Sequence, residues 1–165
     1  MEIGIISDTH NNRADTEKAI GIFRKHRIKK VFHCGDMTDA YMLEYFKGFD
    51  FYFVKGNMDK DERMLEKKAE ELGFNFFGEL GELQIENKNI AICHGNDNEK
   101  MKHLIESKKY DYIFRGHTHS ISDEMFNRTR VINPGGHAIL RTTPKDRCIC
   151  ILNIESGEAS FIRVD

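Results

Sequence analysis

Two histidines, His117 and His119, stand two residues apart directly after the run Tyr110-Asp111-Tyr112-Ile113-Phe114-Arg115-Gly116. Aromatic and β-branched residues dominate the start of that run, which reads as a buried strand closed by Arg115 and Gly116. On an extended chain, positions i and i+2 point to one side, so both imidazoles are expected to leave the strand end together. Imidazole is the commonest side-chain ligand for metals of intermediate softness. A single His-x-His has a structural fate more often than a metal, so the reading turns on whether the chain supplies further ligands at equivalent places.

It does so at four more strand ends. The strand-like stretch 2–6 is followed by Asp8 and His10, again two residues apart. Stretch 30–34 ends in Gly35-Asp36, stretch 51–54 in Gly56-Asn57, and stretch 90–93 in His94-Gly95. Any one Asp or Asn here is an ordinary turn residue. Asp8, His10, Asp36, Asn57, His94, His117 and His119, each at the end of an apolar run, are not explained that way. Open α/β sheets bind ligands at the carboxyl ends of their strands. These donors suffice for two metals and exceed the needs of one tetrahedral zinc. A carboxylate can bridge two cations with one oxygen for each, and Asp36, central in chain order, is the expected bridge.

The elements that must hold these residues follow from periodicity. Over 13–26, Thr16, Ala19, Ile20 and Phe23 mark one face of an amphipathic helix. A short helix with Met42, Leu43 and Phe46 on one side precedes strand 51–54, and 60–72 reads as a charged, exposed helix. Short strands are expected at 74–77 and 80–85, and a polar helix over 98–107. Beyond residue 120 the spacing shortens to hairpins, with strands at 121–126, 130–133, 148–154 and 159–164. Alternating strand and helix favours parallel pairing early in the chain, and the hairpins favour antiparallel pairing late. Two packed sheets with helices outside satisfy both. No repeat or linker divides the chain, so residues 1–165 are expected to form a single domain.

Composition narrows the partners. The 165 residues are 39% hydrophobic and 32% charged, with a formal net charge of −2. The lysine pairs are scattered and have acids nearby, so a dedicated nucleic-acid surface is not expected. Cys34, Cys93, Cys148 and Cys150 form no Cys-x-x-Cys pair and sit in apolar runs, as reduced core thiols of a cytosolic protein do. No signal-like or membrane-length segment is seen, so a soluble, cytoplasmic protein without membrane contact is expected. Monomer and homo-oligomer both stay open.

Asp8-x-His10, Gly35-Asp36, Gly56-Asn57-x-Asp59, His94-Gly95 and Gly116-His117-x-His119 resemble, in order, the five blocks of the calcineurin-like metallophosphoesterase superfamily. The short length, Cys34-Gly35-Asp36 and Asn133-Pro134-Gly135 are similar to its small YfcE-type phosphodiesterase branch. The resemblance implies an α/β fold, a four-layer αββα sandwich of two mixed β-sheets flanked by helices. It implies that Asp8, His10, Asp36 and His119 hold one metal, and that Asp36, Asn57, His94 and His117 hold the other. It also implies a phosphodiesterase acting through metal-bridged hydroxide, with Asp36, Asn57 and His94 at the reacting centre and a small phosphate ester as substrate. A phosphomonoesterase or nucleotide phosphatase on the same site is one alternative. A non-catalytic scaffold, like the retromer subunit of the same fold, is another.

Four histidines in the ligand set argue against magnesium or calcium and for transition metals. Manganese or nickel is expected, with iron, cobalt and zinc as alternatives. Many relatives carry His directly after the block-three Asn, where it can protonate the leaving oxygen; here it is Met58. Several small relatives have His-Gly-His at block four; here it is His94-Gly95-Asn96. Asp59 is expected to orient a neighbouring ligand. His33 reads as structural, and His26 and His103 as solvent-facing. His137, after the Asn133-Pro134-Gly135 loop, and Arg115, beside Gly116, are expected substrate contacts, with a salt bridge as the alternative for Arg115.

Overall fold

The structure is a computed structural model and describes residues 1–164; the last residue of the expected domain, 165, lies outside the described residues. Strands β1 (Glu2–Ile6), β2 (Lys30–His33), β3 (Asp50–Phe53) and β4 (Asn75–Phe76) run parallel in one sheet. The carboxyl-terminal hairpin, β10 (Cys148–Asn153) and β11 (Ala159–Arg163), joins it antiparallel beside β1, giving the order β11-β10-β1-β2-β3-β4. The second sheet contains β5 (Leu80–Ile85), β6 (Lys88–Cys93), β7 (Tyr112–Phe114), β8 (Ile121–Phe126) and β9 (Thr129–Pro134) in the order β5-β6-β7-β9-β8. It is also mixed: β6-β7 and β7-β9 are parallel, and both edge pairs are antiparallel.

Helix α1 (Arg13–Lys25) starts where the Asn12 side chain accepts the Asp15 N–H, and it buries Thr16, Ala19, Ile20 and Phe23 as the spacing predicts. A 3-10 helix, Ala40–Phe46, buries Met42, Leu43 and Phe46. Helix α2 (Glu62–Leu72) is capped by Asp61 and buries only Leu65 and Ala69. These three lie on the outer face of the first sheet, in one core with Val31, Phe51, Phe53 and Ile149. A second core fills the space between the sheets, with Ile3, Ile5 and Phe32 facing Ile90, Ile92 and Phe114. Helix α3 (Asn98–Glu106) covers the outer face of the second sheet through Met101, Leu104 and Ile105. The layers are therefore helix, sheet, sheet, helix, the αββα sandwich expected from the sequence.

All four cysteines are buried free thiols. Among the described residues, no helix is long and apolar enough to cross a membrane. The strand at 110–114 is shorter than its pattern suggests: only Tyr112–Phe114 pairs, and Tyr110 is buried ahead of it.

Candidate metal centre

Loops after β1, β2, β3, β6 and β7 meet at one edge of the sandwich, and backbone hydrogen bonds stitch them together. The Asp8 N–H donates to the Gly35 carbonyl (3.0 Å) and His10 N–H to Asp36 carbonyl (3.0 Å), joining the first two loops. Gly116 N–H donates to the His94 carbonyl (3.0 Å), joining the last two. Asp59 accepts from Asp36 N–H (2.8 Å), Gly56 N–H (2.7 Å) and Thr38 N–H (2.6 Å), so its carboxylate holds the backbone of the second and third loops in register.

The side chains converge on Asp8 and Asp36. Asp8 Oδ1 lies 3.2 Å from His119 Nε2 and 3.8 Å from His10 Nε2. Asp36 Oδ2 lies 3.3 Å from His94 Nε2 and 3.6 Å from His10 Nε2. Atoms ~2.1 Å from a shared cation stand about 3.0–3.4 Å apart, so this spacing suits metal ligation. Two overlapping groups result, Asp8-His10-His119 and Asp8-Asp36-His94. Asp8 Oδ1 and His10 Nε2 are buried with no hydrogen-bond partner. A buried lone pair without a donor is costly, and a divalent cation satisfies both. The donor set fits such an ion.

Each ring is oriented from behind. The Cys34 carbonyl lies 2.8 Å from His94 Nδ1, so that nitrogen carries the proton and Nε2 offers its lone pair. His119 Nδ1 lies 3.1 Å from Thr142 Oγ1. Asp8 Oδ2 accepts from Ser7 Oγ (2.6 Å) and His117 N–H (3.0 Å). Burial pushes the Asp8 carboxyl up, but His10 and His119, with help from His94 and Ser7, outweigh it and hold the group well below its usual range. Burial likewise opposes ionisation of Asp36, and His94 and the Met58 N–H overcome it. Both carboxylates are therefore anionic ligands in waiting.

Asp36, the expected bridge, turns its two oxygens to different partners. Asp36 Oδ1 accepts the Met58 N–H at 2.7 Å, which leaves only Oδ2 to face His10 and His94. Oδ2 thus stands between His10 and His94, while the residue common to the two groups is Asp8. The His117/His119 expectation needs correction. The chain is not extended there: His117 has φ 70° and His119 φ 55°, both left-handed. As a result the imidazoles part. His119 is buried beside Asp8, whereas His117 is exposed with its ring centroid 5.2 Å from that of His94. Asp8 (φ 52°), His10 (φ 41°) and Asp36 (φ 57°) are left-handed as well. Such angles are uncommon for residues with a side chain and cluster at functional sites. Asn57 is exposed and reaches the centre through Oδ1, 3.1 Å from His94 Nε2.

His137 is fully buried, and its Nδ1 is 3.9 Å from Asp15 Oδ2 on α1. Its backbone N–H donates to the Asp8 carbonyl (2.9 Å), so the loop folds back under the site and carries the ring inward. It is a prop behind Asp8 and does not face a substrate. Arg115 is half-buried against Gly95; its Nε has no hydrogen-bond partner, and it makes no ion pair among the described residues. The salt-bridge alternative is thus not realised. His33 is buried, accepts the Gly35 N–H at Nδ1 (3.2 Å) and meets Thr9 Oγ1 through Nε2 (3.0 Å), a structural role. His26 and His103 are exposed.

Ser7 and Thr142 were not visible as site residues in the sequence. Ser7 adjoins Asp8, the one available signal, whereas Thr142 arrives from a distant loop with none. Beside Asn57 and His94 opens a cleft of about 450 Å³, whose walls include Lys55, Lys60, Asn96 and Lys100.

A family model described as the calcineurin-like phosphoesterase superfamily domain matches residues 1–157. The phosphodiesterase MJ0936 of Methanocaldococcus jannaschii is 30% identical over 138 residues, 82% of this chain and 83% of that protein. A solved archaeal phosphodiesterase superposes with a TM-score of 0.89 at 30% identity, covering 98% of this chain and 99% of its own. The YfcE phosphoesterase from E. coli shares the fold, with a TM-score of 0.69 at 18% identity and full coverage of both chains.

Proposed function

The chain belongs to the calcineurin-like phosphoesterase superfamily, and from that premise we propose a dinuclear, metal-dependent phosphodiesterase acting on small phosphate diesters. The hydrolase assignment follows from the family and from a phosphodiesterase relative at 30% identity. One observation carries the dinuclear reading: a single carboxylate oxygen, Asp36 Oδ2, stands 3.6 Å from His10 and 3.3 Å from His94. Manganese or nickel is the proposed metal pair, held by Asp8, His10, Asp36 and His119 on one side and Asp36, Asn57, His94 and His117 on the other. When bound, such ions activate water and neutralise charge on phosphoryl oxygens.

The chain's own residues divide the remaining work. Asn57, exposed beside His94, positions a phosphoryl oxygen. Arg115, a cation without an anionic partner, supplies charge to the same group from the His94-Gly95 side. Lys60 Nζ donates to the Asn57 carbonyl (2.9 Å), fixing that loop. A scaffold role is disfavoured because no ligand of the five blocks is replaced.

Met58 sets the test. Its N–H is committed to Asp36, and its thioether has no proton to give a leaving oxygen. A positioned general acid is typically worth ~10²–10⁴ in rate, so without one the rate should depend steeply on leaving-group acidity. With manganese, aryl phosphodiesters such as bis-p-nitrophenyl phosphate should turn over well and alkyl diesters slowly. Met58→His should raise the rate most for poor leaving groups. Diesters and monoesters spanning leaving-group pKa, assayed on both proteins, decide the matter. A shallow wild-type slope would contradict the missing acid, and a preference for monoesters would move the assignment to a phosphatase.

A further inference from the structure

We propose that a groove between α3 and β5 receives the apolar, non-leaving ester group of the substrate, so that for a given leaving group phosphodiesters carrying an alkyl chain are favoured. The inference rests on the phosphodiesterase reading above and extends it to substrate class. The groove holds about 460 Å³, within the ~300–1,000 Å³ range of ligand pockets. Leu80, Cys93, Leu104 and Tyr110 form its apolar lining.

Continuity ties the groove to the metal centre. Glu79, Cys93 and Lys100 line both the groove and the cleft beside Asn57 and His94. Cys93 directly precedes the ligand His94; its side chain turns to the α3 face beside Met101, and it lines both spaces. The chemistry changes along this path. Near the site the walls carry Lys55, Lys60 and Asn96, suited to a phosphate; farther on they are apolar, suited to a chain leaving it.

The rims indicate the kind of occupant. Lys100 on α3 pairs with Glu79 (2.6 Å), and Lys109 pairs with Glu82 on β5 (3.5 Å). Both ion pairs span from the α3 side to the β5 side. A chain entering the groove from the cleft passes over the exposed Lys100–Glu79 pair, both residues of which line the two spaces. Leu80 keeps 40% of its surface exposed within this strip. Burying methylenes there is favourable in proportion to the area removed from water.

The experiment is a series of alkyl p-nitrophenyl phosphates, methyl through octyl, kept below their critical micelle concentrations. The leaving group is constant, so only the chain varies. With manganese-loaded wild type, kcat/KM should rise at least about tenfold from methyl to octyl, mostly through KM. Leu80→Glu and Leu104→Ser should each pull the octyl-to-methyl ratio toward one, with melting temperature confirming a folded protein. Turnover of the series with a flat chain-length profile would overturn this inference alone. A rise that survives both variants would place the chain elsewhere and also overturn it. No turnover of any member would overturn the phosphodiesterase reading with it.

Discussion

Asp36 has two oxygens with different partners. Oδ1 is held by the Met58 N–H, and Oδ2 faces His10 and His94. Asp36→Asn keeps the shape and removes the charge that faces both His10 and His94. Its turnover at saturating manganese should fall about tenfold further than that of His10→Ala, which disturbs one cluster. Equal or reversed losses would show Asp36 to be a ligand of one ion. The candidate ligands were legible at this scale because each followed an apolar run, and the structure brings Asp8, His10, Asp36, His94 and His119 together. Which Asp36 oxygen faces the histidines was not, since the Met58 N–H that bonds Oδ1 comes from a different loop. His137 was misread for a similar reason. Its neighbours in sequence say nothing of the Asp8 carbonyl that draws its backbone under the site.

Among the elements, the strand ends were foreseen and their exits were not. Alternation on an extended chain fails once the backbone turns left-handed, as at His117 and His119, whose rings part; Asp8 and His10, also left-handed, still meet. Glycines make these exits sterically feasible by close approach. A Cβ on Gly116 would stand 1.9 Å from Ser7 Oγ and 2.4 Å from Asp8 Oδ2, and one on Gly56 would stand 2.1 Å from Asp36 Oδ1. Gly116→Ala should therefore cost about 1–3 kcal/mol of stability and displace Asp8, lowering manganese affinity. Gly21, exposed within α1 with open space around it, is the contrast: Gly21→Ala should stabilise by about 0.5–1 kcal/mol. Thermal melts with and without manganese measure both. An unchanged affinity in Gly116→Ala would argue that Asp8 is not held by that contact.

Over the whole molecule, the centre draws on both sheets. Asp8, His10, Asp36 and Asn57 follow strands of the first, and His94, His117 and His119 follow strands of the second. The two-sheet architecture was legible from strand–helix alternation giving way to hairpins. The insertion of β10 beside β1 was not, because that pairing joins the two ends of the chain and no local pattern encodes it. Ions bound across the two sheets favour the folded state alone, so metal and stability are linked. The most direct test counts metal on the purified chain after chelator treatment, equilibration with manganese and removal of the excess. The account predicts about two ions per chain at saturation, with a raised melting temperature. Saturation at one ion or none, with the wild-type chain intact, would contradict it.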